Sequence, residues 1–131
     1  MNKGLINPWT WQDAYGYSQA IEVSGHTRVL RTSGIASADE GGEFQHAGDI
    51  AAQIALALDN IEAVLSEAGM SLSNVVRLGM YTTDVDAFNG AYGIVAQRLA
   101  AAGCVPAMKL LGVARLADPR MMVLFEATAV A

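Results

Sequence analysis

The stretch from Met121 to Val130 reads MMVLFEATAV, an apolar, β-rich run broken by a single charge, Glu126. So continuous a run marks a strand covered on both faces or set at the centre of a sheet. An isolated buried carboxylate is too costly to persist, so Glu126 must be paired, hydrogen-bonded or placed in a cleft. The stretch before it, beginning at Val105-Pro106-Ala107, reads as a second strand. Ala117-Asp118-Pro119-Arg120 supplies turn residues between the two, with Pro fixing φ and Asp able to bond its own backbone. The expectation is a terminal strand pair joined by a tight turn, with function decided by what lies between the start of one strand and Glu126 on the other.

The rest of the chain supplies the partners of that pair. Residues 1 to 16 read as an irregular lead-in. Trp9 and Trp11 face the same way if the piece is extended, as a packing patch or as the wall of a ligand site. Tyr17 to Val23 and Arg28 to Ser33 read as the strands of a hairpin turning at Ser24-Gly25-His26, which makes His26 an exposed turn residue. Gly34 to Asp49 is a polar loop. Its acids Asp39, Glu40 and Glu43 lack the alternation of a calcium loop, and His46 has no second ligand at metal spacing. Asp49 is placed to cap a helix whose stripe is Ile50, Ile54, Leu58, Ile61, Leu65 and Ala68, stopped by Gly69. Val75 to Thr83 is a further strand. Asp84 or Asp86 then caps a second helix carrying Phe88, Ala91, Tyr92, Val95, Leu99 and Ala102, stopped by Gly103. The order is strand, strand, helix, strand, helix, strand, strand: a single α+β domain over residues 1–131, a mixed sheet with two helices on one face.

Composition narrows the partners. Only 16% of residues are charged and 53% are hydrophobic, against an ordinary charged fraction of roughly a quarter. The sheet face without helices therefore calls for cover by neighbouring copies of the chain. A net charge of −5, with eight Lys and Arg scattered along the chain, offers nucleic acid no footprint and a membrane surface no basic segment. One cysteine, Cys104, excludes an internal disulfide and a cysteine-rich zinc site, and with no base or helix start nearby it reads as an incidental thiol. The first residues lack a basic flank followed by an apolar run, so a cytoplasmic location, the cytosol, is expected.

Several short pieces recur in a telling order: Tyr17-Ser18-Gln19-Ala20, Ser33-Gly34, Gln53, Leu58-Asp59-Asn60-Ile61, Ala68-Gly69 and Tyr81-Thr82-Thr83-Asp84. Tyr92, Pro106-Ala107, Val113-Ala114-Arg115-Leu116 and Phe125-Glu126-Ala127 follow. In that order and spacing the chain resembles the Rid family, also called YjgF or L-PSP, from about Tyr17 to Ala131. The resemblance implies a chorismate-mutase-like fold, a homotrimer whose sheets enclose a central barrel, and small-molecule clefts between subunits. It implies hydrolysis of reactive imines and enamines such as 2-aminoacrylate, with no metal and no cofactor.

Carried over residue by residue, the resemblance makes Glu126 and Tyr17 the catalytic pair and Asn89 the polar group of the second helix. Ser33 and Gly34 supply backbone groups. A guanidinium after Pro-Ala would bind an imine's carboxylate bidentately, and a carboxylate would activate the water. Here Met108 stands at the arginine's position and Leu110 where many active members carry a small polar or thiol residue. Lys109 is adjacent but faces the other way on a regular strand. Arg115 shares the parity of Lys109, and the place of Arg31 is left open. The expectation is an apolar intersubunit cleft for an uncharged or weakly polar ligand, oriented by Glu126 and Tyr17, with little activity on amino-acid-derived imines. A deaminase with a substitute anchor and a non-catalytic ligand-binding trimer stand beside it. In the last case Glu126 would merely bond a hydroxyl such as that of Thr128 or Tyr17. RNA cleavage finds no support, since no His–His or His–Lys pair is evident.

Overall fold

Residues 1–131 are described by a computed structural model. Strand β1 (Asn2–Ile6) pairs antiparallel with β2 (Ala20–Ser24) as a two-stranded ribbon, with a 3-10 turn at Trp11–Tyr15 between them. The main sheet contains β3 (Val29–Arg31), β4 (Val75–Thr82), β5 (Ala107–Gly112) and β6 (Val123–Val130) in the order β3-β6-β4-β5. Only β4 and β5 run parallel. Helices α1 (Ile50–Glu67), α2 (Val85–Ala91) and α3 (Gly93–Ala101) complete the α+β architecture, which is chorismate-mutase-like. No helix is long and apolar enough to cross a membrane.

The helices form where caps and apolar spacing coincide. The Asp49 carboxylate accepts from the Ala52 amide at 3.0 Å and starts α1, and Gly69, at φ +71°, turns the chain out of it. Ile54, Leu58, Ile61 and Leu65 line the buried face. Asp84 caps α2 in the same way through the Ala87 amide. The second helix is not continuous as expected but breaks at Tyr92, between Gly90 and Gly93. Glycine weakens the helix there, and the Tyr92 hydroxyl is held at 2.6 Å by the Tyr15 carbonyl.

Packing follows the alternation of β6. Val123, Phe125, Ala127 and Ala129 are buried toward the helices, while Leu124, Glu126 and Thr128 face the open side of the sheet half-exposed. Phe125 meets Phe88 of α2 edge-to-face, with ring centroids 6.1 Å apart. The central position expected for this strand is correct, but cover on both faces is not found within the chain.

Four local expectations are corrected. The N-terminus is not irregular, since β1 is a strand. The β2 and β3 segments do not form a hairpin: β2 pairs with β1, and β3 with β6. Nor are β5 and β6 partners, for β4 lies between them. The turn at Asp118 does exist, its carboxylate accepting from the Arg120 amide at 2.8 Å, but it serves a longer connection. Strand periodicity specifies a face and carries no information about the neighbour. His26, expected exposed, is half-buried, and its Nδ1 is buried without a partner.

Candidate functional site

Two groups of residues stand on opposite sides of the main sheet. On the helix side, a cleft of about 430 Å³ lies between the Trp11–Tyr15 turn, α2 and β5. Tyr17, Asn89, Met108 and Leu110, all expected at the site, line it together with Trp11, Tyr15, Met80, Tyr92 and Lys109. The turn is pinned by the buried Gln12, whose amide donates to the Trp9 carbonyl at 2.9 Å. That pin sets Trp11 edge-on to Tyr17 at 6.2 Å. Trp11 is thus a wall of the cleft, whereas Trp9 is exposed outside it. Burial, and then the neighbouring Tyr17, pushes the Tyr92 phenol above its ordinary value, so it stays a neutral donor. The cleft holds no arginine, and Lys109 at its rim is the one cation among its lining residues.

The second group lies on the open face. Register places Glu126 beside Gly79, and Gly79 beside Lys109, in one row across β6, β4 and β5. The Glu126 side chain lies flat over Gly79. A Cβ built on Gly79 would meet Cγ and Oε1 of Glu126 at 2.9 Å. Across that gap Oε1 accepts from the Tyr81 hydroxyl at 2.7 Å and stands 3.8 Å from Lys109 Nζ. Lys109 also sits over the Tyr81 ring, 5.1 Å from its centroid. Glu126 bonds neither Thr128 nor Tyr17, the hydroxyls named from sequence. Its Oε2 has no hydrogen-bond partner within the chain.

Ser33 and Gly34 belong with this second group. Thr32 and Ile35 bond Ala127 and Phe125, so Ser33 and Gly34 run beside β6 at the level of Glu126. Gly34 is held against Leu124 so closely that a Cβ there would stand 2.8 Å from it. Within one chain, then, Tyr17, Asn89, Met108 and Leu110 gather on one side and Glu126, Ser33 and Gly34 on the other. β5 is regular, so Lys109 does face away from Met108 as its parity requires. From the edge strand it still touches both groups.

Sequence reasoning did not assign Gly79 or Tyr81 to the site, although Tyr81 stood in a matched piece. Their common parity with Arg77 on β4 was the available signal. Cys104 is buried, donates to the Val75 carbonyl at 3.4 Å, and has its thiol pushed up to about 11 by burial, which makes it inert. In the 34–49 loop Asp39 accepts from the amides of Gly41 and Glu43, and Glu43 pairs with Arg120 at 3.4 Å.

These features define a class: a small α+β domain with an aromatic cleft on one side of its sheet and a poised carboxylate on the other. Residues 11–131 match the sequence profile of the family described as endoribonuclease L-PSP. The chain belongs to this family, the Rid or YjgF group. It is similar to the Rid-family protein YyfB of Yersinia pestis, at 32% identity and a TM-score of 0.87 over 100% of both chains. TdcF of E. coli, solved with bound serine, matches at 26% identity and a TM-score of 0.71, covering 88% of this chain and 87% of that one. A RutC family protein of Pyrococcus abyssi is 39% identical over 72 residues, 55% of this chain and 54% of the relative. The match thus spans about half the length of that curated relative.

Proposed function

We propose that the chain is a hydrolase of small imines, enamines or a related metabolite, with a substrate range set by the loss of arginine at Met108. The observation that carries this is the held carboxylate. Glu126 lies over Gly79, its Oε1 fixed by Tyr81 and its Oε2 free to accept a proton from water. The reading completes the cleft across a trimer interface. Tyr17, Asn89, Met108 and Leu110 of one copy oppose Glu126, Ser33 and Gly34 of the next. The aromatic side takes the uncharged end of the ligand.

The chemistry follows. Glu126 takes a proton from water as its oxygen attacks the C=N carbon. The resulting amino alcohol collapses with proton return to nitrogen, releasing ammonia and leaving a carbonyl. Positioned general-base action of this kind contributes about 10²–10⁴-fold. The serine bound by TdcF supports a ligand of amino-acid size.

The test generates imines in place with an amino-acid or amine oxidase and lets semicarbazide compete for them. Wild type should divert imine from the trap, and Glu126→Gln should lose about 10²-fold or more of that rate. No diversion of any imine by the wild type would leave the alternative, a ligand-binding trimer without catalysis.

A further inference from the structure

The open face of the sheet carries a charge balance opposite to that of the molecule. The chain is acidic overall, at −5. Yet the open-face positions of β3, β4, β5 and β6 hold three cations, Arg31, Arg77 and Lys109, and one acid, Glu126. Lys109 pairs with Glu126. Neither Arg31 nor Arg77 has a carboxylate within 4.0 Å or a hydrogen-bond acceptor in the chain; Arg115, outside the strands, has none either, whereas Arg28, Arg98 and Arg120 each have a partner.

Register brings the two free guanidiniums of the open face together. Arg31 on β3 and Arg77 on β4 are both direct neighbours of Thr128 on the strand between them. Strand spacing puts their backbones about 10 Å apart, so both side chains reach the space above Thr128. The Thr128 hydroxyl is itself without a partner in the chain. Arg31, Arg77, Thr128 and Glu126 line one recess of about 170 Å³, room for a molecule of a few heavy atoms. Two like charges flanking one residue of a sheet repel, and an anion between them removes that cost.

We infer that Arg31, Thr128 and Arg77 form a carboxylate-binding cradle, with Glu126 one step along β6 receiving a positively charged nitrogen. The ligand class is a small α-amino acid or its iminium. The guanidiniums hold the carboxylate by charge-assisted hydrogen bonds, and the free oxygen of Glu126 meets the nitrogen. A phosphate fits less well, because Glu126 repels a dianion. The guanidinium missing at Met108 is thereby replaced from two other strands. For turnover this rests on the reading of Glu126 as the base, while binding does not require it.

The experiment is titration calorimetry of the intact protein with L-alanine, which has no C=N bond to hydrolyse, and with L-alaninamide, which lacks the carboxylate. Wild type should bind L-alanine at least about tenfold tighter than L-alaninamide. Arg31→Gln and Arg77→Gln should each weaken L-alanine binding about tenfold or more with an unchanged melting temperature. Equal binding of the two compounds, no heat with either at millimolar concentration, or unaltered affinity in both arginine variants overturns the cradle. So does loss of the oligomer in those variants without any binding by the wild type, which would assign the guanidiniums to a carboxylate of a second copy. Cradle binding intact with no hydrolysis of any imine would retain this site and refute the catalytic reading alone.

Discussion

Gly79 carries more consequence than its size suggests. Its missing side chain is the space Glu126 occupies on its way to Tyr81. Replacing it with alanine puts a methyl 2.9 Å from Cγ and Oε1 of Glu126, so the carboxylate must move and the 2.7 Å bond from Tyr81 is lost. Gly79→Ala should cost about tenfold or more in imine hydrolysis, since misplacing a catalytic group by about 1 Å is expensive. Alanine is no worse in a strand than glycine, so the melting temperature should change little. Steady-state rates and a thermal melt measured together check this, and an alanine variant with wild-type rates would refute the role. At this scale Glu126 was legible as the one carboxylate in an apolar strand. Its partner was not. Tyr81 is paired to it through cross-strand geometry, and no local pattern links two residues 45 apart.

The elements show the same division. Helix α1 could be read from its cap, stripe and terminal glycine because all three are local signals. What α1 does for the site was hidden in Gln53, an amide on the buried face. Its Nε2 donates to the carbonyls of His46 at 3.1 Å and Arg120 at 2.8 Å, and its Oε1 accepts from the Met122 amide at 2.8 Å. One side chain thus ties the loop before α1 and the connection before β6 to the helix. Gln53→Leu leaves those groups without their partner and should destabilise the fold by about 2–3 kcal/mol, read from the urea midpoint. A midpoint equal to wild type would show that the loops find other partners. The strands were legible as strands, but their order was not. Nearness in sequence suggested two hairpins, and neither formed, because β2 pairs with β1 and β4 lies between β5 and β6. The parity that separated Met108 from Lys109 did hold, since β5 carries no bulge.

For the whole molecule, the two halves of the candidate site are on opposite sides of one sheet, and a single copy does not close them into a cleft. Leu111 and Val29 add apolar area to the open face, at 47% and 49% exposure. Light scattering on the purified protein should give three times 13.8 kDa. A mass of 13.8 kDa would sink the intersubunit reading and with it the proposed pairing of Tyr17 with Glu126. Composition had pointed to covered surface, but sparse charge says how much face to expect hidden and not which; the proposed assembly puts the cover on the open face. The placement of β6 reaches further, into how the protein is made. Its register partners on β3, such as Leu30 opposite Ala129, are translated far earlier. Until Val123–Val130 leaves the ribosome, β3 has no neighbour and one edge of β4 stays open to other chains. The nascent chain therefore stays open to misassembly along those edges until β6 arrives, and the strand bearing Glu126 is also the one that closes them.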